Sequence, residues 1–111
     1  MKIKTLSAAL TVGLILAGIT ACGDILGAAV EGWPAAEIRE AYGELRDFAD
    51  TDRGFGCYTD DTEMTVALAA SLVDCGCVDA KHVSAKYAEF YEPSRWYGGA
   101  AHRVMHALKH G

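Results

Sequence analysis

The sequence predicts an all-α chain, and three observations carry that prediction. Apolar residues recur at helical spacing, as in Met64, Leu68 and Leu72, and in Val83, Tyr87, Phe90 and Tyr91. Helix punctuation bounds these runs, with Pro34 and Asp79 at starts and Gly43 and Gly76 at stops. No stretch alternates apolar and polar residues long enough to make a strand, and no internal repeat is visible. The 111 residues suffice for one small domain with a modest core.

The elements follow in order. Lys2 and Lys4 precede an uncharged run over residues 5–23, read as a first helix from about residue 4 to 22. Residues 1–7 are a leader or the start of that helix. A helix apolar all round is buried or in a membrane, and this run is at the short end for a bilayer span. Gly13 and Gly18 would allow close packing. The same stretch has the make-up of a secretory signal, and Ile19-Thr20-Ala21-Cys22 is similar to a bacterial lipoprotein box with Cys22 as lipid acceptor. Gly23 reads as a break, followed by a short helix over 24–30. Pro34 opens a helix over 35–42 that Gly43 stops. Residues 44–58 are polar, broken by Gly54 and Gly56, and read as loop. A helix over 60–74 follows. Asp79 caps another that Pro93 ends. The glycine-containing "SRWYGGAA" leads into a last helix over 100–109.

Composition narrows the function. The net charge of −5 argues against a protein that binds nucleic-acid backbone, which demands a basic face. The basic cluster of His102, Arg103, His106, Lys109 and His110 reads as a solvated face with a basic last turn. The four cysteines are Cys22, Cys57, Cys75 and Cys77. Cys75 and Cys77 stand too close for an ordinary disulfide. A zinc site from Cys57, Cys75, Cys77 and His82 lacks a CxxC pair, so free, reduced cysteines are expected.

The densest chemistry is in "YTDDTEM", residues 58–64. Asp60 at the N-cap with Glu63 three residues on fits a capping box, and acidic residues suit a helix start. A cap needs one oxygen, however, and Thr59, Asp60, Asp61 and Thr62 crowd one turn. The surplus suits a hard cation, because Mg²⁺ and Mn²⁺ take all-oxygen shells. Composition and spacing leave both readings open.

"GDILGAAVEGW" (23–33), "YTDDTEM" (58–64) and "RWYGG" (95–99) occur in the order and at about the separations seen in ADP-ribosylglycohydrolases, and the chain resembles that family over residues 8–111. The resemblance implies an all-α orthogonal helical bundle, of which this chain would be the N-terminal portion, about a third. It implies a hydrolase with two Mg²⁺ ions, Mn²⁺ being possible, that cleaves the glycosidic bond linking ADP-ribose to a protein side chain or a related derivative. By the same resemblance Thr59, Asp60 and Asp61 are metal ligands, Glu31 is the catalytic residue, Asp24 supports them, and Gly98 and Gly99 lie near the ADP-ribose. Without the resemblance, Glu31 reads as a surface glutamate.

The chain also departs from the family pattern. The late Asp-x-Asp-[Thr/Ser] segment that supplies the second ligand group is missing, and so is the Asn-Gly substrate loop; "DTD" at 50–52 is no substitute. The expectation is a half-built two-metal site, little activity alone, and apolar helix faces left without partners. The resemblance also makes residues 8–22 part of the domain, so a cytoplasmic protein without a membrane anchor is expected. A non-catalytic or structural relative, and a small protein lipid-anchored through Cys22, are the competing readings.

Overall fold

The computed structural model describes residue 15 and residues 18–111. The expected start of the first helix, with Gly13, lies outside the described residues. From residue 18 the first helix, α1, runs to 27 and tightens into a 3₁₀ turn over Ala28–Val30. The break expected at Gly23 does not occur, and the helix continues through it. A glycine inside a helix costs about 1 kcal/mol against alanine, too little to end a helix by itself. The next residue, Asp24, is moreover tied from outside.

Helix α2, Ala35–Tyr42, has the expected bounds. Pro34 (φ −61°, ψ 141°) leads in, and Gly43 (φ 67°) turns the chain away while its N–H closes on Arg39 O at 2.9 Å. No residue of α2 is buried.

The expected loop holds a minimal hairpin, β1 (Asp50–Thr51) against β2 (Gly54–Phe55), antiparallel with Asp50 opposite Phe55. One side chain makes it: the Thr51 hydroxyl donates to Gly54 O at 2.9 Å and accepts from Arg53 N–H at 3.1 Å. Two-residue strands are too short to leave an alternation in the sequence.

The remaining helices form the packed body. Helix α3, Asp60–Cys75, ends at Gly76 in the left-handed region (φ 68°, ψ 7°), whose N–H bonds Leu72 O at 2.9 Å. Helix α4, Ala80–Phe90, is capped by Asp79, which accepts from His82 N–H at 2.8 Å. Pro93 opens a further 3₁₀ turn, Pro93–Arg95, before α5, Gly99–His110. Helix α4 packs against both α3 and α5.

The buried stripe of α3 differs from the expected one. Met64, Leu68 and Leu72 are only half-buried, whereas Glu63, Ala67 and Ser71, again four residues apart, are buried. Small Ala67 and Ser71 let α4 approach closely, and the fully buried Ser71 hydroxyl bonds His82 Nδ1 at 2.8 Å. Tyr91 and Met105 complete this core, and Val30 carries it toward α1. Apolar side chains stay exposed, Val66, Val73, Val104 and Leu108 among them. No helix among the described residues is long and apolar enough to cross a membrane.

Candidate active site

The site starts from an unusual helix cap. Asp60 is not the N-cap of α3, and Glu63 does not reach back to close a capping box. Thr59 is the N-cap, and its own side chain caps nothing. The acceptor comes from α1. Asp24 Oδ2 accepts the Thr59 N–H at 2.8 Å, the Thr62 N–H at 3.3 Å and the Thr62 hydroxyl at 2.5 Å. Its Oδ1 accepts the Thr59 hydroxyl at 2.5 Å. Asp24 thus does for α3, across the fold, what a local Ser or Asp does for most helices. Asp60 and Asp61, not needed as the cap, occupy the first helical turn of α3.

Glu31 is placed by a turn. Val30-Glu31-Gly32-Trp33 closes with Trp33 N–H on Val30 O at 3.0 Å. Glu31 has φ −57° and ψ 127°, and Gly32 has φ 78°, the pattern of a type II turn with glycine in its third place. Side chains avoid that φ, so Gly32→Ala should cost about 1 kcal/mol of stability in urea unfolding. No loss would mean that the turn relaxes at no cost.

Asp24, Glu31, Thr59 and Asp61 converge, whereas Asp60 is not among the lining residues. Thr20, Gly23, Asp24, Gly27, Ala28 and Glu31 from the first segment, and Thr59 and Asp61 from α3, line one open cleft of about 280 Å³. Thr20 belongs to the stretch similar to a lipoprotein box, which α1 spans unbroken. Burial, and then the nearby Asp60, Asp61 and Asp24 carboxylates, push the Glu31 carboxyl above its ordinary range. Burial and then Asp61 raise Asp60 likewise, outweighing the hydrogen bonds that favour its charge. The cleft therefore concentrates negative charge at a cost to the folded chain.

That cost sets a prediction with an uncommon sign. A carboxylate with a raised folded-state pKa subtracts stability when ionised, fully so above that pKa. At pH 7 in chelator, Asp61→Asn should stabilise the chain by somewhat less than ~1 kcal/mol, since both side chains keep contact with water. The gain should disappear as the pH falls below Asp60's ordinary value of 3.8, where Asp60 is protonated folded or unfolded. Thermal melting at the two pH values checks this, and a lower midpoint at pH 7 would show that the helix dipole dominates instead.

The donor set fits a hard cation by type: carboxylates and a hydroxyl, with no nitrogen or sulfur among the cleft residues. Among the described residues, no three His, Cys, Asp or Glu side chains gather closely enough to hold a metal ion by themselves. Water, substrate or further residues must complete any shell. Cys57, Cys75 and Cys77 do not converge; all four cysteines are free, and Cys57 bonds Arg53 O at 3.2 Å.

Gly98 and Gly99 form the start of α5 and are not among the residues lining the cleft. Their loop is nevertheless tied to the cleft's helix by residues that sequence reasoning did not assign. Glu63, expected to serve a cap, is buried and accepts at one oxygen from Tyr97 OH at 2.6 Å and Glu92 N–H at 3.1 Å. Burial, and then the bond to Glu63, push the Tyr97 hydroxyl far above its ordinary range, so it remains a donor. The Arg95 guanidinium lies 3.8 Å over the Tyr58 ring and donates to Tyr58 O at 3.3 Å, and Arg53 lies 4.1 Å over Trp96. The "RWYGG" motif was the signal for this loop; its partners Arg53, Tyr58 and Glu63 lie 34 to 43 residues away, and no local spacing records the pairing.

The family profile described as ADP-ribosylglycohydrolase matches residues 11–111. A protein of Archaeoglobus fulgidus, described only as uncharacterized, is 34% identical over 96 residues, covering 82% of this chain and 32% of its own length. The chain thus spans about a third of that relative. No solved structure matches the chain.

Proposed function

This chain belongs to the ADP-ribosylglycohydrolase family, and on that premise we propose that its cleft is part of a metal-dependent hydrolase site that acts on the glycosidic bond of an ADP-ribosyl group. One observation carries the reading. Glu31 and Asp24 from the first motif share a single cleft with Thr59 and Asp61 from the second. Nothing in a bland helical packing calls for so many oxygens at one place.

Thr59, Asp60 and Asp61 would hold Mg²⁺ or Mn²⁺. The cation would neutralise the carboxylates, orient ribose hydroxyls and polarise oxygen bound to it. The chain's own residues do the rest. Asp24 holds Thr59 and the first turn of α3 in place. Glu31, its carboxyl held above the ordinary range by burial and the nearby carboxylates, is suited to exchange a proton with the water or the leaving atom. Cleavage of such a bond passes through an oxocarbenium-like state, and the surrounding carboxylates favour developing positive charge at the ribose.

Because the described donors stop short of a full shell, binding without sustained turnover is expected of this chain. Calorimetric titration with ADP-ribose, with and without Mg²⁺, tests it. Binding should require the divalent cation, and Asp60→Asn should weaken it at least about tenfold, the loss of one charged ligand. ADP-ribose that fails to bind under either condition would sink the reading. Magnesium-dependent release of ADP-ribose from a modified peptide would instead show full activity, and binding by a longer chain that never turns over would favour the non-catalytic alternative.

A further inference from the structure

Helix α5 carries histidines at four-residue steps, His102, His106 and His110. That spacing sets successive side chains on one helix face, one above the next. The rings do line up. The His102 and His106 centroids are 6.2 Å apart, and those of His106 and His110 only 4.5 Å. None of the three lines the cleft.

The three are not equivalent. His102 is half-buried, and its Nδ1 is engaged by the Tyr91 hydroxyl. His82, on α4, is likewise engaged, its Nδ1 meeting the Ser71 hydroxyl at 2.8 Å. His106 and His110 are exposed, and among the described residues their ring nitrogens have no such partner. The neighbouring cations are turned away from the pair. Lys109 Nζ donates to Tyr91 O at 2.9 Å, and the Arg103 guanidinium reaches back to Gly99 at the start of the helix.

We propose that His106 and His110 form a chelating site for a borderline divalent cation of the Zn²⁺ or Ni²⁺ type, chemically separate from the oxygen-lined cleft. Imidazole nitrogen suits those ions, whereas carboxylate and hydroxyl oxygens suit Mg²⁺ and Mn²⁺. Two histidines four residues apart on one helix face are a recurring zinc-holding arrangement. The helix fixes both rings before the ion arrives, so the second nitrogen engages as an intramolecular ligand with little left to order. Among the described residues no third His, Cys, Asp or Glu side chain joins the pair, so water completes the shell and the affinity is moderate.

NMR of the histidine rings during titration with ZnCl₂, in excess MgCl₂, tests the site. The His106 and His110 ring signals should shift together, while those of His82 and His102 stay in place. In calorimetry, His106→Gln should weaken zinc binding at least about tenfold, because a lone imidazole loses the advantage of the pair. His110→Gln should do the same. Both side chains are exposed, and circular dichroism checks that the variants keep their helices. Zinc that binds His106→Gln as tightly as the unaltered chain overturns the inference, and points to the exposed Cys75 and Cys77 thiols instead. Ring signals that do not move at millimolar zinc overturn it too. So does zinc released by added MgCl₂, which would place the ion among the cleft oxygens. None of these outcomes bears on the reading of the cleft, which stands or falls with ADP-ribose binding.

Discussion

Asp24→Ala is expected to be among the most destabilising single substitutions in this chain, at about 3 kcal/mol in urea unfolding. The carboxylate accepts four hydrogen bonds, two of them from N–H groups at the start of α3 that have no partner within their own helix. Thr59 and Thr62 are buried, so water cannot readily replace what is removed. Asp24→Asn makes the sharper comparison. Its single oxygen can stay where Oδ2 accepts three donors, and the Thr59 hydroxyl can rotate to accept from the new amide. Less than half the loss is therefore expected from Asn. If Ala and Asn cost the same, charge rather than hydrogen-bond count holds the junction. If neither costs more than a few tenths of a kcal/mol, the tie between α1 and α3 is not what organises the site. Either result also bears on function, because Asp24 sets the place of Thr59 and of the two aspartates after it.

Glu63→Ala should cost about 2 kcal/mol, because it takes one buried acceptor away from two donors. The Tyr97 hydroxyl and the Glu92 N–H both depend on one Glu63 oxygen. Glu63→Gln keeps an oxygen there and should lose only about 1 kcal/mol. A double-mutant cycle with Tyr97→Phe separates the pair from the rest, and a coupling of about 1 kcal/mol or more is expected for residues sharing a buried hydrogen bond. Additive losses would mean that the loop before α5 is held by its arginine–aromatic stacks alone. The consequence reaches beyond stability, since this loop carries Trp96, which lines a hollow together with Ala28 and Glu31.

Local rules were enough for much of this molecule. Pro34, Gly43, Gly76 and Asp79 each act through a backbone preference or a hydrogen bond spanning at most four residues, so α2, the end of α3 and the start of α4 were legible from neighbours in the chain. The motifs around residues 24–31 and 59–62 marked the segments that line the cleft, and the motif at 95–99 marked the loop tied to α3. The small hairpin at 50–55 was not legible, because one threonine hydroxyl makes it and no periodicity does.

The buried stripe of α3 shows where local rules gave out. Apolar spacing singles out Met64, Leu68 and Leu72, yet α4 and the loop after it approach the neighbouring face and bury Glu63, Ala67 and Ser71. Which face is buried depends on which partner arrives and how closely it fits, and the small side chains win that contact. The same cause displaced the cap. Thr59, Asp60 and Glu63 contain every group that a local capping box needs, but Asp24, arriving on α1, takes the donors first and leaves Asp60 and Asp61 free.

Sequence by itself therefore determined the helical class, most helix ends and the identity of the oxygen-bearing residues, since propensity, capping and side-chain chemistry act within a turn or two. Tertiary structure alone decided the job of each oxygen: Asp24 caps, Glu63 anchors a loop, and Glu31 and Asp61 are left lining the cleft. The reason is physical. Hydrogen bonds and burial across 29 to 38 residues depend on how helices pack, and no window of neighbouring residues records that packing.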